Sequence, residues 1–595
     1  MINCSLKTIL YSKFQIKMSL KLLFILFTLF SSYLPTFVAK PEAAADALLK
    51  WKTSLTNQNN PLLSSWSLDP TTNLTHVNRT TSTAPCTWYL STLVFLDLSS
   101  NRFSGTIPQE IGRLTNIETF SLHSNNLEGH VPVSLGNLSK LGYLRVDNNN
   151  LSGSIPPELG NLYNLVTVNM SVNFLTGHIP SSLGNLTKLS ELYLFLNNLT
   201  GLIPPSLGNL SSLRILYLYM NKLSGRIPDE LGNMKSLNLL LFGHNKLAGS
   251  IPASLGNLTK LKILDVHENL LSGVIPPELG KLESLIQLAF SHNELSGQIP
   301  ASIGNLSRLE QLFFNDNQFN GSIPKELGNL NSLVEMLLLL NRLSGPIPDS
   351  LGNLTKLEQF ALHDNKLSGY FPEGILNCQK LRYLTLGNNS LVGPVPKSIC
   401  NLRSLETLYL GSNQFSGGIP QCLVNFSHNL TVLDLRLNRL HGNIPTTFLK
   451  RNNNLKTLNL NGNQLQGSIP GTLIDCRKLE VLDLGDNKLT GGFPHWIDTL
   501  PEMQVLVLRG NNGLCGFPLT KNCGDDGVSS SLTPEEDEDE DEDEDDSFFN
   551  GFSWESVAMG YGFGMLIGLG IGWFVFYLGK PRWVIRITEK QPIQT

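Results

Sequence analysis

The side chains able to do chemistry fall into four groups: aromatic, histidine and carboxylate residues recurring near 24-residue intervals, eight cysteines, a set of Asn-x-Ser/Thr sequons, and glycines four apart in an apolar run. The first group contains Tyr193, Phe195, Tyr217, Tyr219 and Leu241, followed by Asp265, His267, Glu268, His363 and Asp364. The aromatic members offer apolar contact with a polar tip, the kind of side chain that anchors a bound partner. The carboxylates and histidines form a polar band suited to the basic end of a peptide. A histidine there also titrates near neutral pH, which any solvated imidazole does. No nucleophile with a base, no phosphate-cradling loop and no metal-ligand spacing occurs, so neither an enzyme nor a cofactor or metal is expected. The Gly-x-Gly-x-Gly near the C-terminus follows no strand and is no nucleotide site.

Those residues are positioned by a repeat. Asn recurs at 101, 125, 149, 173 and onward at that constant interval to Asn413, then at Asn438, Asn463, Asn487 and Asn511. Around Asn221 the unit reads Leu213, Leu216, Leu218, Asn221, Leu223, Gly225, Ile227, Pro228, Leu231, Gly232, Asn233. Leucines at −8, −5 and −3 from the Asn alternate as a short strand, and the Asn can bond backbone groups of its own and adjacent turns. This is the leucine-rich repeat pattern in about 18 copies, an α/β solenoid with one strand per turn. Alternation turns −6, −4 and −2 to the concave surface, where the aromatic residues and the polar band lie. No single repeat folds alone, because fully burying one leucine is worth roughly 1.5–3 kcal/mol and only stacking supplies that burial.

Composition bounds the partners. Only 16% of residues are charged, and the net charge of −5 hides twelve consecutive acidic residues from Glu535 to Asp546. Nowhere is there the concentrated basic face a nucleic-acid binder needs. The acidic run reads as an extended, self-repelling spacer. Lys17 and Lys21 before the apolar Leu22 to Phe30 read as a secretory signal, taken as residues 1–39. Val557 to Leu578 contains no charge and is long enough to cross a bilayer, with Lys580, Arg582 and Arg586 marking the cytosolic side. The expected topology is type I single-pass at the plasma membrane, with the solenoid outside and residues 579–595 inside. Within the span, Gly560, Gly564, Gly568 and Gly572 align a smooth seam for helix pairing. The sequons Asn73, Asn78, Asn137, Asn150, Asn169, Asn185, Asn198, Asn209, Asn257, Asn305, Asn320, Asn353, Asn388, Asn425 and Asn429 are candidate glycosylation sites in a secreted chain. Cys400 and Cys422 lie in successive repeats and either meet as a disulfide or serve as small core residues. Cys378 and Cys476 replace the leucine at +13 and read as packed thiols.

Three passages carry a resemblance. Ala45-Asp46-Ala47-Leu48-Leu49-Lys50-Trp51-Lys52, with Trp66 and Pro85-Cys86-Thr87-Trp88, resembles the N-terminal cap of plant leucine-rich-repeat receptors. Gly513-Leu514-Cys515-Gly516-Phe517-Pro518-Leu519, ending at Cys523, is similar to their C-terminal cap. The acidic tract, Gly-rich span and Gly579-Lys580-Pro581-Arg582-Trp583 follow the order of the kinase-less receptor-like proteins. The resemblance implies a twisted solenoid with a second short sheet, a Cys515–Cys523 disulfide, a receptor-like kinase held through the transmembrane seam, and a co-receptor kinase recruited with an extracellular ligand. The corresponding segments are a shortened N-cap at 40–92, repeats at 93–511, a C-cap at 512–524, a spacer at 525–556, the membrane helix at 557–578 and the tail. Trp88 runs into the first repeat without the family's second cysteine, and the array lacks the irregular island and the repeats after it. A wall-facing inhibitor of a microbial hydrolase or a truncated decoy would use the same solenoid.

Overall fold

The computed structural model describes residues 93–423, 429–446, 454–516 and Cys523. The signal, the N-cap, the acidic spacer, the membrane helix with its glycine seam, and the tail lie outside the described residues. Among the described residues no helix is long and apolar enough to cross a membrane.

Where it is fully described, a unit makes one circuit of strand, tight turn, second short strand and 3-10 helix. The first strands stack in parallel and in register into one 18-stranded sheet. Ile215, Leu216 and Tyr217 pair with Leu239, Leu240 and Leu241, which pair in turn with Ile263, Leu264 and Asp265. Alternation places Leu216 inside while Ile215 and Tyr217 stay half-buried on the outer face. In the Asn221 unit Leu213, Leu216, Leu218, Leu223 and Leu231 are fully buried and Ile227 nearly so, forming one continuous core with their equivalents. A second set of strands after the asparagines, such as Lys222–Gly225 and Lys246–Gly249, pairs in parallel along the flank. These strands, in one run of four and one of fourteen, stand where the resemblance implies a second short sheet.

The asparagine ladder works as its spacing suggests. Asn221 Oδ1 accepts from the Leu199 N–H at 3.0 Å, and its Nδ2 donates to the carbonyls of Leu194 and Leu218, each at 3.0 Å. One side chain thus ties backbone in two successive units that no strand reaches. The residue just before each ladder asparagine is forced into the left-handed region whatever its type. Even Val172 (φ 55°) and Leu196 (φ 52°) adopt it, a cost of order 1–2 kcal/mol that the stack sustains.

On the face opposite the sheet, most of the 3-10 helices pack closely because a glycine sits near the end of each, as at Gly208, Gly232 and Gly256. A Cβ at Gly256 would lie 2.4 Å from the Glu278 carbonyl oxygen in the next helix. Gly256→Ala should therefore lower stability by about 1–3 kcal/mol, read as a shift in urea midpoint. Gly471→Ala, where an added Cβ meets nothing within 4 Å, should leave that midpoint in place.

Cys400 and Cys422 form a disulfide with Cα atoms 6.0 Å apart, deciding between the two sequence readings, and Cys515 and Cys523 form another at 5.0 Å. The latter links the last described strand to a cysteine eight residues on. Cys378 and Cys476 are fully buried and outside both disulfides. Burial raises their thiols to about 11 and about 12, which keeps them protonated and inert.

Candidate functional site

Stacking units in register converts equivalent positions of successive repeats into neighbours, so the aromatic residues of two successive strands meet on the sheet face. Tyr193 and Tyr217 contact edge to face with centroids 5.3 Å apart. Phe195 stacks on Tyr219 at 4.5 Å and touches Tyr217 at 6.2 Å, and Tyr217 lies 5.9 Å from Tyr219. Leu241 continues the row half-buried. The cluster differs from the sequence expectation in one respect: Phe195 is only 9% exposed, because the Tyr219 ring covers it. It supports the tyrosines instead of offering its own face. Burial first, then the neighbouring Tyr217, raises the Tyr219 phenol well above its usual range, so it remains a hydrogen-bond donor.

The polar band begins one turn further on. Gly243 occupies the position equivalent to Tyr219 and leaves a gap, and the His267 ring lies over it, where a Cβ would come within 2.4 Å of Cε1. Asp265 Oδ1 meets His267 Nδ1 at 2.5 Å and accepts the His267 backbone N–H at 3.0 Å. Burial opposes a charge on His267, yet the Asp265 carboxylate outweighs it and holds the pKa above the ordinary histidine value. His244, at the left-handed turn position of its own unit, contacts Glu268 at the same position of the next. Its ring stands edge-on to His267 with centroids 4.6 Å apart. Burial, and then repulsion from His267, lowers the His244 pKa despite Glu268. One ligand atom each from His244, His267 and Glu268 lies within 4.8 Å of the others. Sequence reading named Asp265, His267 and Glu268 but missed His244, which lies a whole repeat before Glu268. Counting matches at the repeat interval, and at one position short of it, would have found it.

His363 and Asp364 do not belong to that band. Four units separate them from His267, roughly 19 Å at about 4.8 Å per strand. In the three units between them Ala289, Phe313 and Leu337 take the −4 positions. His363 instead bonds Thr385 Oγ1 at 2.8 Å and meets the Tyr409 ring at 5.9 Å. Burial lowers its pKa against the pull of Asp364. It opens a second cluster that sequence reading did not identify. Here Arg436 lies over Tyr409 at 5.9 Å and its Nε is 3.6 Å from Asp434. Arg382 nearby pairs with Glu406 at 2.7 Å.

Burial raises Asp434 to about 6, more than Arg436 offsets. A folded carboxyl that binds its proton more tightly than the unfolded one adds stability below the unfolded value near 3.9, and this is lost as pH rises through about 6. Asp434→Asn keeps an oxygen for the Arg436 N–H, which now bonds Asp434 Oδ1 at 3.0 Å. It should raise stability at pH 7.5 by up to about 3 kcal/mol and add little at pH 4, measured by urea melts at both pH values.

The sequons sort by face. Asn137, Asn185, Asn209, Asn257, Asn305 and Asn353 are each the exposed last residue of a 3-10 helix. Asn150, Asn320, Asn388 and Asn429 are also exposed and Asn198 is half-buried. Asn388 donates to Asp364 Oδ1 and Asn429 to the Arg403 carbonyl at 3.4 Å. Asn169 sits on the sheet face with its Oδ1 accepting from the Ser171 hydroxyl at 2.7 Å. Asn73, Asn78 and Asn425 lie outside the described residues. The repeated sequons therefore line the face opposite the aromatic cluster.

Leucine-rich-repeat profiles match residues 355–415 and 428–489, and nine single repeats between 92 and 330. A comparison with curated protein sequences gave no match. Among solved structures the chain is similar to the plant peptide hormone receptor RGFR1 in complex with RGF2, at 34% identity and TM-score 0.60, over 70% of this chain and 74% of that one. PEPR1 with AtPEP1 matches at 31% identity and TM-score 0.59, over 78% and 75%. The Arabidopsis receptor kinase HAESA, in complex with the peptide hormone IDA and the co-receptor SERK1, matches at 30% and TM-score 0.51, over 80% and 98%.

Proposed function

The chain belongs to the plant leucine-rich-repeat receptor-like proteins, and from that premise we propose that it is a cell-surface receptor whose sheet face binds an extracellular peptide. The aromatic cluster carries this reading: Tyr193, Tyr217 and Tyr219 present contiguous rings on a face that the repeated sequons spare. Aromatic anchors of this kind dominate binding energy when a partner covers them. The similarity to ectodomains solved with bound peptides and, for HAESA, with a co-receptor supports both ligand and co-receptor contact.

In this reading residues 1–39 direct secretion and residues 557–578 anchor the chain in the plasma membrane. The glycine seam pairs with a receptor-like kinase that relays the signal in defence or development. The test is affinity purification of the tagged full chain from plant membranes, beside a Gly564→Leu/Gly568→Leu variant and a Tyr217→Ala/Tyr219→Ala variant, with partners and retained peptides identified by mass spectrometry. A receptor kinase with wild type and the tyrosine variant, but not with the glycine variant, supports the relay. Peptide retained by wild type and lost from the tyrosine variant supports the binding face. Absence of any kinase from all three samples would overturn the relay in favour of an inhibitor or decoy.

A further inference from the structure

We propose that His244, His267 and Glu268 form a binding site for a divalent transition-metal ion of the zinc class, with Asp265 orienting His267. Four observations meet at this point. The three donor atoms already lie within 4.8 Å of one another, whereas zinc held at about 2.1 Å by each requires separations of about 3.4 Å. Rotations of half-buried side chains supply the remaining closure, and none of the three is locked in the core.

The backbone beneath them is fixed. The His244 N–H bonds the His267 carbonyl at 2.9 Å, and the Asn245 N–H bonds the Glu268 carbonyl at 3.1 Å. Asn269, next in sequence, is a ladder residue tied to the Phe242, Val266 and His267 carbonyls. The ligand-bearing turns are therefore rigid while the side chains retain freedom, which suits a site that closes on an ion.

The third observation is Asp265. A carboxylate on Nδ1 of a histidine fixes the ring and turns Nε2 into the metal-facing donor, the arrangement that accompanies metal-bound histidines generally. The fourth is charge. With both imidazoles neutral as metal binding requires, any proton on His267 being released, Glu268 and Asp265 carry two negative charges, which one divalent cation neutralises. Two nitrogens and one oxygen select zinc over magnesium or calcium, which prefer all-oxygen shells. Three protein ligands leave a coordination position open on the sheet face. That a bound peptide fills it rests on the ligand-binding reading above, whereas the ion binding itself does not.

The purified full chain, freed of metal with chelator and dialysed against Zn²⁺ alone, is expected to retain one tight equivalent by elemental analysis. His244→Ala/His267→Ala should weaken that equivalent at least about 100-fold, and Asp265→Asn about 10–100-fold. Both variants should keep the wild-type far-ultraviolet dichroism. His292→Ala/His363→Ala should bind zinc as wild type does. No tight zinc in wild type, equal retention by the His244→Ala/His267→Ala variant, or equally tight Mg²⁺ would overturn the assignment. Since no peptide is present, failure here leaves the receptor reading untouched, and failure of peptide capture leaves this one untouched.

Discussion

Asn173→Ala should lower stability by roughly 3–5 kcal/mol although it removes no apolar contact of note. Asn173 is 7% exposed, its Oδ1 accepts the Leu151 N–H at 2.9 Å, and its Nδ2 donates to the carbonyls of Val146, Met170 and Ser171 at 3.0, 3.3 and 3.1 Å. Alanine leaves the Leu151 N–H buried without an acceptor. The Val146 carbonyl keeps only the bond from Asn149 Nδ2 at 3.2 Å. The Met170 and Ser171 carbonyls likewise keep one bond each, from Asn197 Nδ2 at 3.0 Å and the Asn148 N–H at 2.9 Å, so one buried group is orphaned at a cost of about 1–3 kcal/mol and three further hydrogen bonds worth about 0.5–1.5 kcal/mol each are lost. Because each unit touches only its neighbours, the loss should be local. Hydrogen exchange checks this: the Leu151 amide should exchange several hundredfold faster, with smaller effects one unit away and none near Asn365. Asn173→Asp keeps the acceptor but loses the donor and buries a charge. It should be at least as harmful at pH 7 and partly recover at pH 4, where the protonated acid donates again.

Much of the fold was legible because the repeat is its own alignment. Asparagine at a constant interval fixes the unit, alternation within Leu213–Leu218 fixes which side is buried, and stacking is the only way to hide the apolar positions of every unit. The candidate site was legible only where it follows single-strand alternation. Tyr193, Tyr217 and Tyr219 were placed correctly on the sheet face. Phe195 occupies an outward position too, but a neighbour's ring covers it, and alternation says nothing about neighbouring rings. His244 escaped attention because Glu268 and His267, which it meets, lie a whole repeat further on, so no local spacing links it to them. Asp434 escaped for a different reason: its position is outward by the pattern, yet it is buried beside the half-buried Arg436, which lies over Tyr409.

The second large effect is expected from Phe314→Ala, at about 3–5 kcal/mol. Most units place leucine at −3, but Phe242, Phe290 and Phe314 replace it in three of them. Phe314 is fully buried, stacked on Phe290 with centroids 5.4 Å apart and tilted against Phe319 at 5.4 Å. Truncation removes a contact with the preceding unit and one within its own unit at once. The backbone cannot collapse into the void, since the Phe314 N–H is held by the Leu337 carbonyl at 2.9 Å and the ladder bonds of Asn317 and Asn341 both end on the Phe314 carbonyl. A cavity that cannot relax sets the cost at the upper part of the range. Phe314→Leu restores the residue most units use and should recover more than half of the loss. If the leucine variant proves no better than alanine in a urea melt, the cost comes from lost ring stacking across units and not from the void.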